Sequence, residues 1–289
     1  MQKFKIASCT GGFRNLGFEE TLLALKKIGI KCIEGTTDGR AHLYPYIFSK
    51  KDSKHLKQFL DQHGLKLVAV SGGWSDFAVI DRYIEKQYKS LKQQLKFCQR
   101  FDIKILRIFA SHIPGQFIDK NLIKRVIRNL KRIMPEAKKH NVCLVIENHY
   151  GITAKADDVL RIIEGVANPY LKVNFDAANF VLMKENPVRA CQRLLPYIDH
   201  LHLKDIRRTN QEPDYKNAYL TGRDIHRGYK FCEFGKGTVN YLKIFENLLR
   251  SKYKGFYSIE YENTSDPIQG TKIFYKNLKE NLANLGLEN

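Results

Sequence analysis

Residues 143–147, Cys-Leu-Val-Ile-Glu, form an almost unbroken apolar run closed by a carboxylate, with Asn141 just before it and Asn148-His149 after it. A strand with one wet face alternates apolar and polar residues, whereas a run that is apolar throughout is buried on both faces, as in a parallel sheet covered by helices. Apolar residues recur at helical spacing on either side, near Asn121–Asn141 upstream and at Asp157–Glu164 downstream. A buried strand between two helices is the unit of a βα fold.

Moving outward, the same unit recurs. Upstream, strands at Phe4–Cys9, Cys32–Glu34, Leu65–Val70 and Ile105–Phe109 alternate with helices at Phe18–Ile28, Ser53–His63 and Arg82–Phe101. Downstream, strands at Leu171–Phe175, Ile198–Leu203 and Phe256–Glu260 alternate with helices at Val188–Leu195, Tyr241–Ser251 and Asp266–Leu285. Gly29, Gly64 and Asn141 fall at helix ends, where tolerance of positive φ is favoured. Eight strands and eight helices over 289 residues predict an α/β fold, a closed (β/α)8 barrel, as one domain over residues 1–289. The alternative, an open doubly wound sheet, is disfavoured because no glycine-rich dinucleotide fingerprint follows the first strand.

With 43% hydrophobic and 27% charged residues, the composition excludes disordered and collagen-like chains. Lys and Arg number 49 against 30 Asp and Glu, a formal charge of +19, which raises the prospect of an anionic partner. The charge is dispersed in doublets such as Lys26-Lys27, Lys50-Lys51, Lys138-Lys139 and Arg207-Arg208, with no basic tail, so solvated helix faces are expected and nucleic acid is not the expected partner. Six cysteines without a CxxC pair read as free thiols in a reducing, cytoplasmic setting. No apolar core of a signal peptide opens the chain, and no apolar run approaches the roughly 20 residues of a membrane span. A homo-oligomer is left open.

In such a barrel the active site lies at the C-terminal ends of the strands. Four successive strands end informatively: CLVIE on Glu147, LKVNFD on Asp176, IDHLH on His202 and YSIE on Glu260. Three carboxylates around one barrel mouth repel one another unless a cation compensates them. Oxygen-rich with one imidazole, the set suits one Mn²⁺, Mg²⁺, Co²⁺ or Zn²⁺ ion.

At VIENH (145–149), VNFDAANF (173–180), HLHLKD (200–205), FGKGTVNY (234–241) and SIEYE (258–262) the sequence resembles the xylose isomerase-like barrel superfamily. That group holds sugar phosphate isomerases and epimerases together with apurinic endonucleases, inosose dehydratases and 3-dehydroshikimate dehydratases. The resemblance implies that Glu147, Asp176, His202 and Glu260 hold one divalent ion, and that Glu147 and Glu260 are the acid/base pair acting on a small polyhydroxylated keto substrate. A metal-bound carbonyl acidifies the neighbouring C–H and stabilises the enediolate. An isomerase or epimerase of a keto sugar, sugar phosphate or cyclitol is the leading expectation. A dehydratase or lyase follows if the same enolate expels a β-oxygen. Arg107, His149 and Lys204 match substrate-pocket positions of the dehydratase branch. Asn179 stands where many members have histidine, a neutral pocket donor and acceptor that cannot shuttle a proton. An apurinic endonuclease-like phosphodiesterase ranks last, because neither Asn179 nor Val70-Ser71-Gly72-Gly73 supplies the further histidines its zinc cluster needs; His112, Asp224 and His226 are the candidate replacements.

The long connection over residues 205–240, with Arg207, Arg208, Arg223, Arg227, Lys230 and Lys236, reads as a lid or substrate-binding insert, or else as a surface excursion. Trp74 is either a sugar-stacking ring or packing, and Glu34 either a pocket acceptor or a rim ion-pair partner.

Overall fold

The computed structural model describes residues 4–37, 42–73, 75–111, 120–211, 225–226, 228–262 and 266–286. Eight parallel strands close into a barrel: β1 (Lys5–Cys9), β2 (Cys32–Thr36), β3 (Lys66–Ser71), β4 (Ile105–Ile108), β5 (Cys143–Glu147), β6 (Leu171–Asp176), β7 (Ile198–Leu203) and β11 (Phe256–Ile259), which pairs back onto β1. The larger helices on the outside are α1 (Phe18–Ile28), α3 (Lys50–His63), α4 (Asp81–Arg100), α5 (Lys120–His140), α6 (Ala156–Val166), α8 (Pro187–Leu194), α9 (Tyr241–Arg250) and α10 (Pro267–Ala283). The expected (β/α)8 barrel is therefore the fold, and the ends of its strands and larger helices lie within three residues of the expected positions.

Three features depart from the expected eight-and-eight pattern. Short helices α2 (Tyr44–Phe48) and α7 (Ala177–Leu182) follow β2 and β6. The expected loop over 205–240 holds a small antiparallel sheet, with β10 (Tyr229–Cys232) between β8 (Asp205–Arg208) and β9 (Ile225–His226). A helix of five or six residues is too short to display a helical period, and Asp-Ile-Arg-Arg paired with Tyr-Lys-Phe-Cys has no clear alternation. Trp74, His112, Arg223 and Asp224 lie outside the described residues, as do Arg227 and the side chain of His226.

Local chemistry fixes the helix ends. Ser49 Oγ accepts the backbone N–H of Asp52 to open α3, and Gly64 closes it at φ 63°. Asn186 and Asp266 cap α8 and α10 in the same way, each followed by a proline in the first turn. Between barrel and helices lies the main core, to which α5 contributes Val126, Leu130 and Ile133 and α10 contributes Phe274, Leu278 and Leu282. The lysines and arginines of α4 and α5 mostly face outward, and Arg128 and Arg132 pair there with Asp81 and Glu85, as expected of solvated helix faces.

Inside the barrel, Ala69, Ile105 and Val145 form a separate small apolar cluster. Side chains two apart on a strand share a face, so Ser71, Arg107 and Glu147 stand one layer above these three. An apolar floor beneath a polar layer at the C-terminal ends places the chemistry. All six cysteines are free, and no helix of the described residues is long and apolar enough to cross a membrane.

Candidate metal centre

Glu147 ends β5, Asp176 ends β6, His202 lies near the end of β7, and Glu260 directly follows β11. One ligand atom from each comes within 4.8 Å of the others. His202 Nδ1 lies 3.3 Å from Glu147 Oε1 and 3.3 Å from Glu260 Oε2, so the two glutamates reach one imidazole nitrogen from two different strands.

Each of these side chains is held by its surroundings. Asp176 is also the N-cap of α7: its Oδ1 accepts the Asn179 N–H at 3.0 Å, which leaves Oδ2 toward Lys204 Nζ at 3.0 Å. Asn148 fixes the same backbone, donating from Nδ2 to the Asp176 carbonyl and accepting the Asp176 N–H, both at 2.8 Å. Glu147 accepts from Asn179 Nδ2 at 3.3 Å, and its other oxygen lies 3.3 Å from Arg107 Nε. Arg107 stacks over the Phe109 ring, while its Nη1 is buried without a hydrogen-bond partner among the described residues.

Lys204 is the second buried cation. Its ammonium lies 2.6 Å from Glu260, 3.0 Å from Asp176 and 3.1 Å from Glu262. Both Arg107 and Lys204 therefore sit in the pocket paired with carboxylates of the site. Half-buried His149 packs against Phe109 and Tyr150, and desolvation depresses its imidazole to about 4, which keeps it neutral at physiological pH.

The charges favour an added cation. Glu34, Glu147, Asp176 and Glu260 are buried with Arg107 and Lys204, leaving four carboxylates against two permanent cations. Burial pushes Asp176 up to about 7 even with Lys204 beside it. Burial, the largest influence, would raise Glu147 and Glu260, but His202 together with Arg107 at Glu147, and His202 together with Lys204 at Glu260, outweigh it, and both are held below the ordinary carboxylate value. Burial would lower His202, but Glu260, Glu34 and Glu147 hold it well above its usual value. A divalent ion that displaced the His202 proton would balance the four carboxylates together with Arg107 and Lys204, and three oxygens with one nitrogen suit it. The residues fit a metal, and Glu147, Asp176, His202 and Glu260 are the ones that would hold it.

A second donor group, Glu34 with His200 and His202, lies on the other side of His202. The reading of Glu34 as pocket acceptor or rim ion-pair partner resolves toward a fully buried acceptor, receiving His202 Nε2 at 2.9 Å and His200 Nε2 at 2.8 Å. Sequence reasoning gave no role to His200, Ser71, Ser258 or Glu262. The signal for two of them was present in the alternation: His200-x-His202 and Glu260-x-Glu262 each place two polar side chains on one strand face.

Beside the site, Asp205 organises the FGKG turn, accepting the N–H groups of Gly235 and Gly237 at 3.0 Å each. A Cβ at Gly237 would stand 1.9 Å from Asp205 Oδ1, so this position requires glycine.

Residues 22–281 match the xylose isomerase-like TIM barrel family. The chain belongs to that family. Among curated relatives, an inosose dehydratase of Lacticaseibacillus casei is 24% identical over 277 residues, covering 91% of this chain and 87% of its own length. Among solved structures, the probable 3-DHS dehydratase AsbF of Bacillus anthracis superposes with a TM-score of 0.76 at 20% identity, over 95% of this chain and 98% of that one. The IOLI protein, solved with a bound zinc atom, superposes with a TM-score of 0.78 at 16% identity, over 97% of this chain and 99% of that one. The relatives thus include a protein named as an inosose dehydratase, and one structural neighbour was solved with a bound zinc atom.

Proposed function

We propose that this chain is a divalent-metal-dependent enzyme that removes a proton next to the carbonyl of a small polyhydroxylated keto compound of the inosose class, with loss of water from the adjoining carbon. The observation that carries this reading is the Lys204 ammonium, placed 2.6 Å from Glu260 and 3.0 Å from Asp176 inside the ligand cluster. An epimerase with two glutamate bases needs both carboxylates free to take up a proton in turn. The ammonium is closer to Glu260, at 2.6 Å, than the Arg107 guanidinium is to Glu147, at 3.3 Å, so Glu260 holds a proton less readily than Glu147, and the same ammonium offers N–H donors to a departing hydroxyl.

The metal, when bound, supplies Lewis acidity at the substrate carbonyl. Glu147 is the base, kept ionised and oriented by Arg107, Asn179 and His202. It takes the proton as the C–H bond breaks, the new carbon–carbon double bond forms, and the β C–O bond breaks. The departing oxygen takes a proton from Lys204 and leaves as water, and the proton held by Glu147 passes to Lys204 to restore the site. Arg107 Nη1, buried without a partner among the described residues, is the donor we assign to a substrate oxygen. Neutral His149 and the Asn179 amide add polar contacts without charge, and any one of Mn²⁺, Mg²⁺, Co²⁺ or Zn²⁺ serves the donor set.

One observation favours a second reading. Glu147 and Glu260 both reach His202 Nδ1 at 3.3 Å from different strands, the arrangement expected for proton exchange on two sides of one carbon. Incubation of metal-loaded protein with a cyclic keto-polyol in D₂O, followed by NMR, separates the readings. Dehydration gives an unsaturated ketone. Deuterium at the α carbon without loss of water indicates the isomerase or epimerase, and neither product across a panel of keto sugars and cyclitols contradicts the proposal.

A further inference from the structure

Beneath the ligand cluster, four donors converge on one carboxylate. Glu34 Oε1 accepts Ser71 Oγ and His202 Nε2, both at 2.9 Å, and Glu34 Oε2 accepts Ser258 Oγ at 2.6 Å and His200 Nε2 at 2.8 Å. All five side chains are fully buried. A carboxylate has about four acceptor sites and no donor when ionised, so Glu34 is saturated and both imidazoles must carry their proton at Nε2. With Nε2 committed downward, the Nδ1 of His202 is the nitrogen left toward Glu147 and Glu260.

A second route leaves the same carboxylate. Ser71 Oγ, which donates to Glu34, accepts Arg107 Nε at 3.1 Å, and that Nε lies 3.3 Å from Glu147 Oε2. The chain Glu34–Ser71–Arg107–Glu147 runs across β2, β3, β4 and β5, while Glu34–His202 spans the barrel interior from β2 to β7. One group in the middle of β2 is thus tied to two of the four ligand residues.

We infer that Glu34 is the positioning residue of the metal centre: through His202 it presents Nδ1 to the ion, and through Ser71 and Arg107 it orients the Glu147 carboxylate. Saturation by four donors also excludes Glu34, His200 and His202 as a second metal site, since an ion there would have to displace two Nε2–H bonds and two hydroxyls. Outer hydrogen bonds of this type set ligand orientation, and their loss typically costs about 10- to 100-fold in metal affinity. The inference rests on the metal-binding reading proposed above, and its test separates the two.

The first measurement is the imidazole ¹⁵N–¹H correlation spectrum of the metal-free protein at neutral pH. His200 and His202 are expected to show slowly exchanging protons at Nε2, whether or not His202 Nδ1 is also protonated. A bare Nε2 on either ring overturns the inference. The second is Co²⁺ titration by visible absorption, with wild type beside Glu34→Gln and Glu34→Asp. Glu34→Gln is expected to bind Co²⁺ about 10- to 100-fold more weakly, with partial rescue in Glu34→Asp, which keeps the charge; equal affinity of Glu34→Gln and wild type overturns it. Ser71→Ala, expected to weaken binding up to about tenfold, replaces Glu34→Gln if that variant does not fold, and unchanged affinity is again contrary. If wild type binds no Co²⁺ at all, the metal reading fails, and the imidazole spectrum alone decides whether Glu34 holds His202.

Discussion

The two sides of the barrel mouth differ in chemistry. On β5, β6, β7 and β11 the strands lead into Glu147, Asp176, His202 and Glu260, three carboxylates and an imidazole within reach of one ion. On β1 to β4 the corresponding side chains are Cys9, Glu34, Ser71 and Arg107, of which Glu34 is fully satisfied and Cys9 is kept protonated, its thiol pushed up to about 12 by burial. The first side concentrates negative charge that needs a cation. The second holds that charge in place and supplies Arg107 as a fixed positive neighbour. On the reading proposed above, binding and orientation are divided between opposite arcs of one ring of strands.

If that division is correct, substitutions on the two arcs fail differently. Glu147→Gln or Asp176→Asn should lower kcat/KM by roughly three orders of magnitude or more, since each removes a ligand and the first also removes the base. Metal-free Asp176→Asn should be at least as stable as wild type, because asparagine keeps the cap on α7 and sheds a costly buried charge. Thermal melts beside kinetics check both, and a large loss of stability in Asp176→Asn would break the comparison. Arg107→Lys, on the opposite arc, should raise KM about 10- to 100-fold and weaken metal affinity up to about tenfold, while saturating metal still gives close to one equivalent bound. An equal loss of metal would place Arg107 with the ligand arc instead.

Gly237→Ala sharpens the comparison from outside the barrel ring. The added methyl collides with Asp205, and a cost of about 1–3 kcal/mol in unfolding free energy is expected from a denaturant titration, with metal stoichiometry unchanged. The last test is a pH dependence. Asp176, raised from 3.8 to about 7 in the folded metal-free chain, binds its proton more tightly there than in the unfolded chain. Its contribution is therefore full below pH 4 and is lost as pH rises through 7, on the order of 4 kcal/mol for a shift of about three units. Relative to Asp176→Asn, metal-free wild type should lose stability between pH 4 and 7, and saturating metal should remove the difference. A flat difference curve in the metal-free proteins contradicts the assignment.

The ligand arc was legible in the sequence because each of its strands is a buried apolar run and the titratable residue closing it stands out. The orienting arc was not, because its meaning lies in convergence: residues 34, 71, 200 and 258 meet only once β2, β3, β7 and β11 have closed into one ring. Helix α7 escaped notice for a related reason, since Asp176 both ends a strand and caps the helix, leaving no polar gap between them. The sheet formed by β8, β9 and β10 depends on pairing across some twenty residues of mixed polarity, which periodicity does not reveal.

The central claim is that one buried cluster holds one divalent ion. Elemental analysis of protein purified without a histidine tag, wild type beside Glu147→Gln and Asp176→Asn, tests it most directly. The account predicts about one equivalent of Mn, Co, Zn or Mg in wild type, clearly reduced in both variants. No metal after reconstitution would contradict it, as would metal content that both substitutions leave unchanged, and near three equivalents of zinc would point instead to a phosphodiesterase centre.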